Sequence, residues 1–181
     1  MTVVETEPAA LPEEVVLVDA YDHVIGREEK ISAHRRGVLH RAFSVMIWDG
    51  AGRMLLQQRA IGKYHSGGLW TNACCGHPRP GEAAVNAAAR RLSEEMGFIA
   101  RLAPVGPFTY RAELDSGLTE HELVHVFRGI YEGSLCPDPA ECDGYTWAAP
   151  AEIVREAVAR PERFTAWFKK YLAAGWPVAP P

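Results

Sequence analysis

The sequence predicts a single α/β domain, a mixed sheet flanked by helices, and three observations carry that expectation. Apolar runs of strand length, separated by turn residues, fill the first sixty positions. One stretch free of Gly and Pro, 82–96, reads as a helix, and further strand-like runs follow it before two proline-opened helical segments. A chain of 181 residues, 48% hydrophobic, is long enough to bury one sizeable core.

Taken in order, 1–12 reads as a frayed arm and 176–181, with three prolines in its last five positions, as a tail that cannot continue a helix. The domain is expected over 13–175. EEVVLVDA, and a short second segment after the turn signal Asp22 to Gly26, predict an initial hairpin. AFSVMIWD (42–49) and MLLQQRA (54–60) flank Asp49, Gly50 and Gly52, which predicts a second hairpin. The helix at 82–96 is rich in Ala and Arg, carries acid at its start and meets Gly97 at its C-cap. Strands are expected at 98–102, 108–112, 122–131 and 145–147. Pro150 opens a helix over 151–159, and Pro161 opens another over 162–174 that Gly175 stops.

The formal net charge of -4 is modest and neither sign is gathered into runs, which argues against a nucleic-acid or membrane-surface partner and for a small molecule. The acidic, Pro-bearing N-terminus does not read as a secretory signal and no apolar run reaches spanning length, so a cytoplasmic protein is expected. In that setting Cys74, Cys75, Cys136 and Cys142 read as free thiols.

From Gly76, a glutamate follows after five residues (Glu82), an arginine after seven more (Arg90), and then Arg91-Leu92-Ser93-Glu94-Glu95-Met96-Gly97-Phe98. This resembles the Nudix box, G-x5-E-x7-R-E-U-x-E-E-x-G-U with U a bulky apolar residue, and implies a Nudix-like αβα sandwich. The departure is Arg91, where the hydrolases of that family usually place a glutamate that helps hold magnesium. On a helix, Arg90 and Glu94, and Arg91 and Glu95, are spaced to pair. Glu95, near the helix end, is then available to a hard cation such as Mg²⁺. Candidate donors for a second divalent ion fall in three groups: His34 with His40, His77, and Glu120 with Glu122. If the strand expected from about 122 extends back to them, Glu120 and Glu122, two apart, share one face, with His121 on the other. His23, His65, His121 and His125 read as surface or hydrogen-bonded residues.

A narrower resemblance rests on EKISAH, VLHRAFS, LWTNACCGHP, FTYRA and SGLTEHE, ordered over most of the chain. These look like type I isopentenyl diphosphate isomerase, a Nudix-fold family. The resemblance implies interconversion of isopentenyl and dimethylallyl diphosphate by a 1,3-allylic proton shift, with Cys75 and Glu122 as the acid/base groups. It makes His34, His40, His77, Glu120 and Glu122 ligands of one Mn²⁺ or Zn²⁺. It gives Glu95 and the backbone carbonyl of Cys75 to a Mg²⁺ that arrives with the substrate diphosphate, and assigns Lys30, Arg59, Lys63 and Arg91 to the diphosphate itself. Tyr110 and Trp167 would line the pocket. The interval from His34 to His40 can be one residue longer in the family. The implied state is a monomer or weak homodimer acting on a small isoprenoid diphosphate. Two other readings stay open on the residues alone: a Nudix hydrolase using Glu94 and Glu95, and a noncatalytic zinc-binding domain.

Such a reaction needs two groups facing each other across a short hydrocarbon. Protonation of the alkene approaches a tertiary carbocation, which the face of Trp167 would stabilise by about 0.5–2 kcal/mol. That is too little to carry the barrier alone, so proton-donor geometry and exclusion of water must supply the rest.

Overall fold

The computed structural model describes residues 13–175; the expected arm at 1–12 and tail at 176–181 lie outside them. β1 (Glu14–Val18) and β2 (Val24–Glu29) form the expected antiparallel hairpin. A helix not anticipated from the sequence, α1 (Lys30–Arg36), follows at once. Glu29 caps it by accepting from Ile31 N and Ser32 N, both at 2.8 Å, and Gly37 ends it in the left-handed region at φ 60°.

β3 (His40–Trp48) is the axis of the sheet. β8 (Thr119–Ile130) runs parallel along its whole length, while β1, β6 (Cys74–Gly76) and β4 (Met54–Arg59) pair with successive parts of it. β7 (Ala103–Glu113) lies antiparallel to β8, and β4 is flanked by β5 (Trp70–Asn72) and β9 (Cys142–Ala148). The second hairpin is therefore corrected. β3 and β4 are consecutive, but they pair only at Trp48 and Met54 and then part, because β6 takes the middle of β3 and β9 takes β4.

α2 (Ala84–Met96) starts two residues later than expected, since Glu82 stays in the preceding turn to accept from Arg79 N and Arg90; Gly97 caps the helix at φ 74° as read. The strand expected at 98–102 is irregular chain. Past the left-handed Gly97 the backbone turns, Phe98 stacks on Tyr131 with centroids 4.0 Å apart, and Ile99 faces solvent. α3 (Pro150–Ala159) begins at its proline as read. The final helix is shorter than expected. Pro161 opens only a single 3-10 turn, Phe164 is extended and bridges to Trp70, and Thr165 N donates to Trp70 O before α4 (Ala166–Ala173) begins with Thr165 as its cap.

Alternation along β3 and β8 builds two cores. Phe43, Val45, Ile47 and Phe127 pack with Ala87, Leu92 and Met96 of α2; Ala42, Met46, Trp48, Val124 and Val126 pack with Ile153, Trp167, Phe168 and Tyr171 of α3 and α4. This is the expected αβα sandwich. His40, Ser44, Cys75, Tyr110, Glu120 and Glu122 lie on the strand positions that share the second face, toward α4.

Candidate active site

α1 delivers His34, the start of β3 His40, the end of β6 His77, and β8 Glu122, each offering one donor atom within 4.8 Å of the others. The imidazole centroids stand 4.8 Å (His34 and His40), 5.4 Å (His34 and His77) and 5.0 Å (His40 and His77) apart. Gly37 makes this compatible with the short His34 to His40 interval, for its left-handed turn folds the chain directly from α1 into β3, and its carbonyl accepts from Arg111 Nη1 at 3.0 Å. His121 also reaches this carbonyl, at 3.1 Å, on the face opposite Glu120 and Glu122, as the alternation requires.

The ring nitrogens test whether a cation fits. His34 Nδ1 and His40 Nδ1 donate to the Lys30 and Val38 carbonyls at 2.7 and 2.9 Å, which fixes Nε2 as the bare nitrogen of each ring. Both Nε2 atoms, and His77 Nδ1, are buried without a partner among the described residues. Unpaired imidazole lone pairs around a carboxylate are the donor set of a divalent cation, and the residues present fit one. His77 Nε2 is 2.9 Å from Glu122 Oε1, and His40 Nε2 is 3.6 Å from it. Burial pulls His77 down to about 4, so the ring is neutral at ordinary pH. Burial pushes the Glu122 carboxyl up, but the hydrogen bond from His77 Nε2 more than offsets this and holds it well below the usual carboxylate range. Glu120 stands outside the tight group. The Tyr110 hydroxyl lies 2.7 Å from Glu120 Oε2 and 2.8 Å from Glu122 Oε2, joining it to the cluster. Burial, then repulsion from Glu122, pushes Glu120 well above its usual value.

A pocket beside this cluster is lined by Cys75, Glu122, Glu120, Tyr110, Trp167 and Tyr171 together with Lys30, Arg59, Lys63, Arg91 and Glu95. All the residues assigned to proton transfer and to the diphosphate thus border one space. The Cys75 thiol donates to Asn72 Oδ1 at 3.2 Å and lies 3.5 Å from Ser44 Oγ; burial pushes it up to about 12, so it is held as a neutral thiol. Trp167 donates from Nε1 to Thr71 Oγ1 at 2.8 Å, which fixes the indole, and the Arg59 guanidinium lies over its ring at 5.2 Å. Lys30 bonds Glu13 at 2.9 Å, Lys63 bonds Glu141 at 2.5 Å, and Arg91 Nη2 bridges Glu95 at 2.7 Å and Glu141 at 3.0 Å. Arg59 Nε is buried with no partner among the described residues.

Sequence reasoning missed several lining residues. His65, read as a surface or hydrogen-bonded residue, is buried 3.2 Å from Ser66 Oγ through Nδ1 and stands edge-on to Trp167 at 5.7 Å. Tyr64, Tyr171, Glu141 and Glu13 were not singled out either, and lie at the same pocket. The segment 61–68, IGKYHSGG, has no periodicity that would give its side chains a direction. Tyr171 could have been found by its spacing of four from Trp167 on one helix.

Fold and pocket first define a class: an αβα sandwich of the Nudix kind whose sheet carries a buried donor group fit for a divalent cation beside a pocket lined by Lys30, Arg59, Lys63 and Arg91. The Nudix domain family matches residues 38–168. A solved structure of a protein from Deinococcus radiodurans shares the fold, at TM-score 0.69 and 17% identity over 82% of this chain and 90% of its own. A protein of Burkholderia multivorans named isopentenyl-diphosphate Delta-isomerase is 49% identical over 93% of this chain and 96% of its own length. Another of that name, from Serratia proteamaculans, is 49% identical over 87% of this chain and 88% of its own. The chain belongs to the isopentenyl-diphosphate Delta-isomerase family of Nudix-domain enzymes. Among the described residues no helix is long and apolar enough to cross a membrane.

Proposed function

We propose that the interconversion of isopentenyl and dimethylallyl diphosphate takes place in this pocket, with Cys75 and Glu122 as its two proton-transfer groups. One observation carries the reading: the Cys75 thiol and the Glu122 carboxylate, two groups able to give and take a proton, line the same cavity. That cavity is about 170 Å³. Elsewhere an apolar cavity of roughly 150 Å³ holds a benzene-sized guest, so a branched five-carbon chain fits.

The atoms balance without a co-reactant. A proton added to the terminal methylene carbon leaves a tertiary cation, and a proton removed from the carbon next to the diphosphate-bearing methylene gives the new double bond. One group donates and the other accepts; the reverse reaction exchanges their roles. Asn72 and Ser44 orient the Cys75 thiol, and Tyr110 orients Glu122, so each reaches its carbon from a fixed position. Trp167 offers its ring to the cationic carbon, and the buried walls of Tyr110, Trp167 and Tyr171 exclude the water that would capture it. Lys30, Arg59, Lys63 and Arg91 hold the diphosphate, the unpaired Arg59 Nε being a donor ready for it. His34, His40, His77 and Glu122, with Glu120 through Tyr110, would hold Mn²⁺ or Zn²⁺, and Glu95 with the Cys75 carbonyl would hold Mg²⁺. The first ion supplies fixed positive charge beside Glu122 and the second neutralises the diphosphate. Four free thiols support a cytoplasmic setting.

The test is incubation with isopentenyl diphosphate followed by proton NMR. The expected product is dimethylallyl diphosphate; release of phosphate with the double bond unmoved sinks the reading. Cys75→Ala and Glu122→Gln are each expected to abolish turnover with the fold intact by circular dichroism. Substantial residual activity in either would remove that residue from its role.

A further inference from the structure

A buried glutamine breaks the pattern of β4. In MLLQQRA the strand turns Leu55 and Gln57 to the α2 side, where Leu55 joins the apolar core. Gln57 is only 2% exposed. Its Nε2 donates to Glu95 Oε2 at 3.1 Å, while its Oε1 is buried and has no partner among the described residues. A buried carboxamide satisfied on one side only is less stable than an apolar side chain of similar volume, so packing alone does not call for glutamine here.

Glu95 is where that side chain is used. Arg91 Nη2 holds Glu95 Oε1 at 2.7 Å, so Gln57 and Arg91 grip the two carboxylate oxygens separately. Arg91 comes from the same helix, one turn back, and is itself assigned to the diphosphate. When a phosphate claims that guanidinium, Gln57 is the contact that remains. It reaches Glu95 from β4 and leaves Oε1 of the carboxylate free toward the cavity that Glu95 lines.

We infer that Gln57 is a positioning residue for the divalent cation at Glu95, fixing the carboxylate through its amide hydrogen bond at a cost to stability. The inference rests on the assignment of Glu95 to the magnesium that accompanies the diphosphate. Partners standing behind a metal ligand typically change metal affinity about 10- to 100-fold when removed. A merely structural hydrogen bond would leave the cation requirement untouched on removal.

Two variants separate these. Gln57→Met keeps the volume and removes the amide, and Gln57→Asn keeps the amide but is one methylene too short to reach. Mg²⁺ is titrated against each in two assays: turnover of isopentenyl diphosphate, and the rise in melting temperature that Mg²⁺ with inorganic pyrophosphate produces. For both variants the Mg²⁺ needed for half the effect should rise about 10- to 100-fold in both assays. An unchanged Mg²⁺ requirement in both assays would overturn the inference, whatever the melting temperature does. Glu95→Gln is the control: if it leaves the Mg²⁺-dependent shift intact, the assignment of Glu95 fails, and if it abolishes the shift while the Gln57 variants match the parent, only the role of Gln57 fails.

Discussion

His65 should give this protein a measurable sensitivity to acid. The ring is 6% exposed, lies 3.2 Å from Ser66 Oγ through Nδ1, and packs edge-on against Tyr64 and Trp167. Burial first, and then repulsion from Arg59, His34 and Lys30, pull it down to about 3. Its value in the unfolded chain is about 6.5. Below that value the unfolded chain takes up a proton that the folded protein refuses, so stability is fully present above about pH 6.5 and falls as the pH drops toward 3. At 1.36 kcal/mol per unit, one and a half units below 6.5 amounts to about 2 kcal/mol lost by pH 5.0 from this one ring. The perturbation is His65→Asn, which keeps an acceptor near Nδ1 and cannot titrate. Urea unfolding of both proteins at pH 7.5 and pH 5.0 gives the answer as a double difference, in which the constant cost of the substitution and all shared titrations cancel. The stability advantage of the parent over the variant should shrink by about 2 kcal/mol between the two pH values. An advantage that stays the same at both would show that the folded protein protonates His65 as readily as the unfolded chain does.

Two other perturbations address the cluster. Tyr110→Phe removes the hydroxyl that touches both Glu120 and Glu122; in protein stripped of metal this should cost about 2–3 kcal/mol, or about 4–12 °C in melting temperature, and clearly less with Mn²⁺ added, with equal losses counting against a cation at this cluster. Gly37→Ala forces a side chain into the left-handed turn between His34 and His40, where its Cβ would come 2.9 Å from the Arg111 guanidinium. A loss of about 1–2 kcal/mol by chemical unfolding is expected, together with weaker Zn²⁺ binding by calorimetry because His34 is displaced.

The parts of this fold that were legible in the sequence are those fixed by local rules. The helix α2 shows itself by a run without Gly or Pro and by Gly97, and the two-residue spacing of Glu120 and Glu122 places both on one face. The rest depended on partners distant in sequence. β5 and β6 are three residues each and exist only because β4 and β3 offer them edges. α1 is seven residues long, and its cap is a glutamate rather than one of the short polar residues that mark a helix start. His65 lies in a loop with no periodicity to give its direction away, and the packing of Trp167 decides it.

Arg91 shows where motif and structure have to be combined. As sequence it is one mismatch in the Nudix box, and the other carboxylates of that box would still suit a hydrolase that gathers cations around water. In the structure those carboxylates are dispersed. Glu82 is taken by Arg90 and the Arg79 amide, and Glu94 is held by Arg90 and Arg91 on the outer side of α2, half exposed. Of the three, only Glu95 lines the pocket. One carboxylate can hold a cation that a diphosphate brings with it, but it does not assemble the multi-carboxylate group on which hydrolytic attack at phosphorus relies. Arg91 in place of the expected glutamate therefore removes one carboxylate from the box and sets a guanidinium at the pocket instead, which under the proposed function is where the phosphates are gripped without being cut.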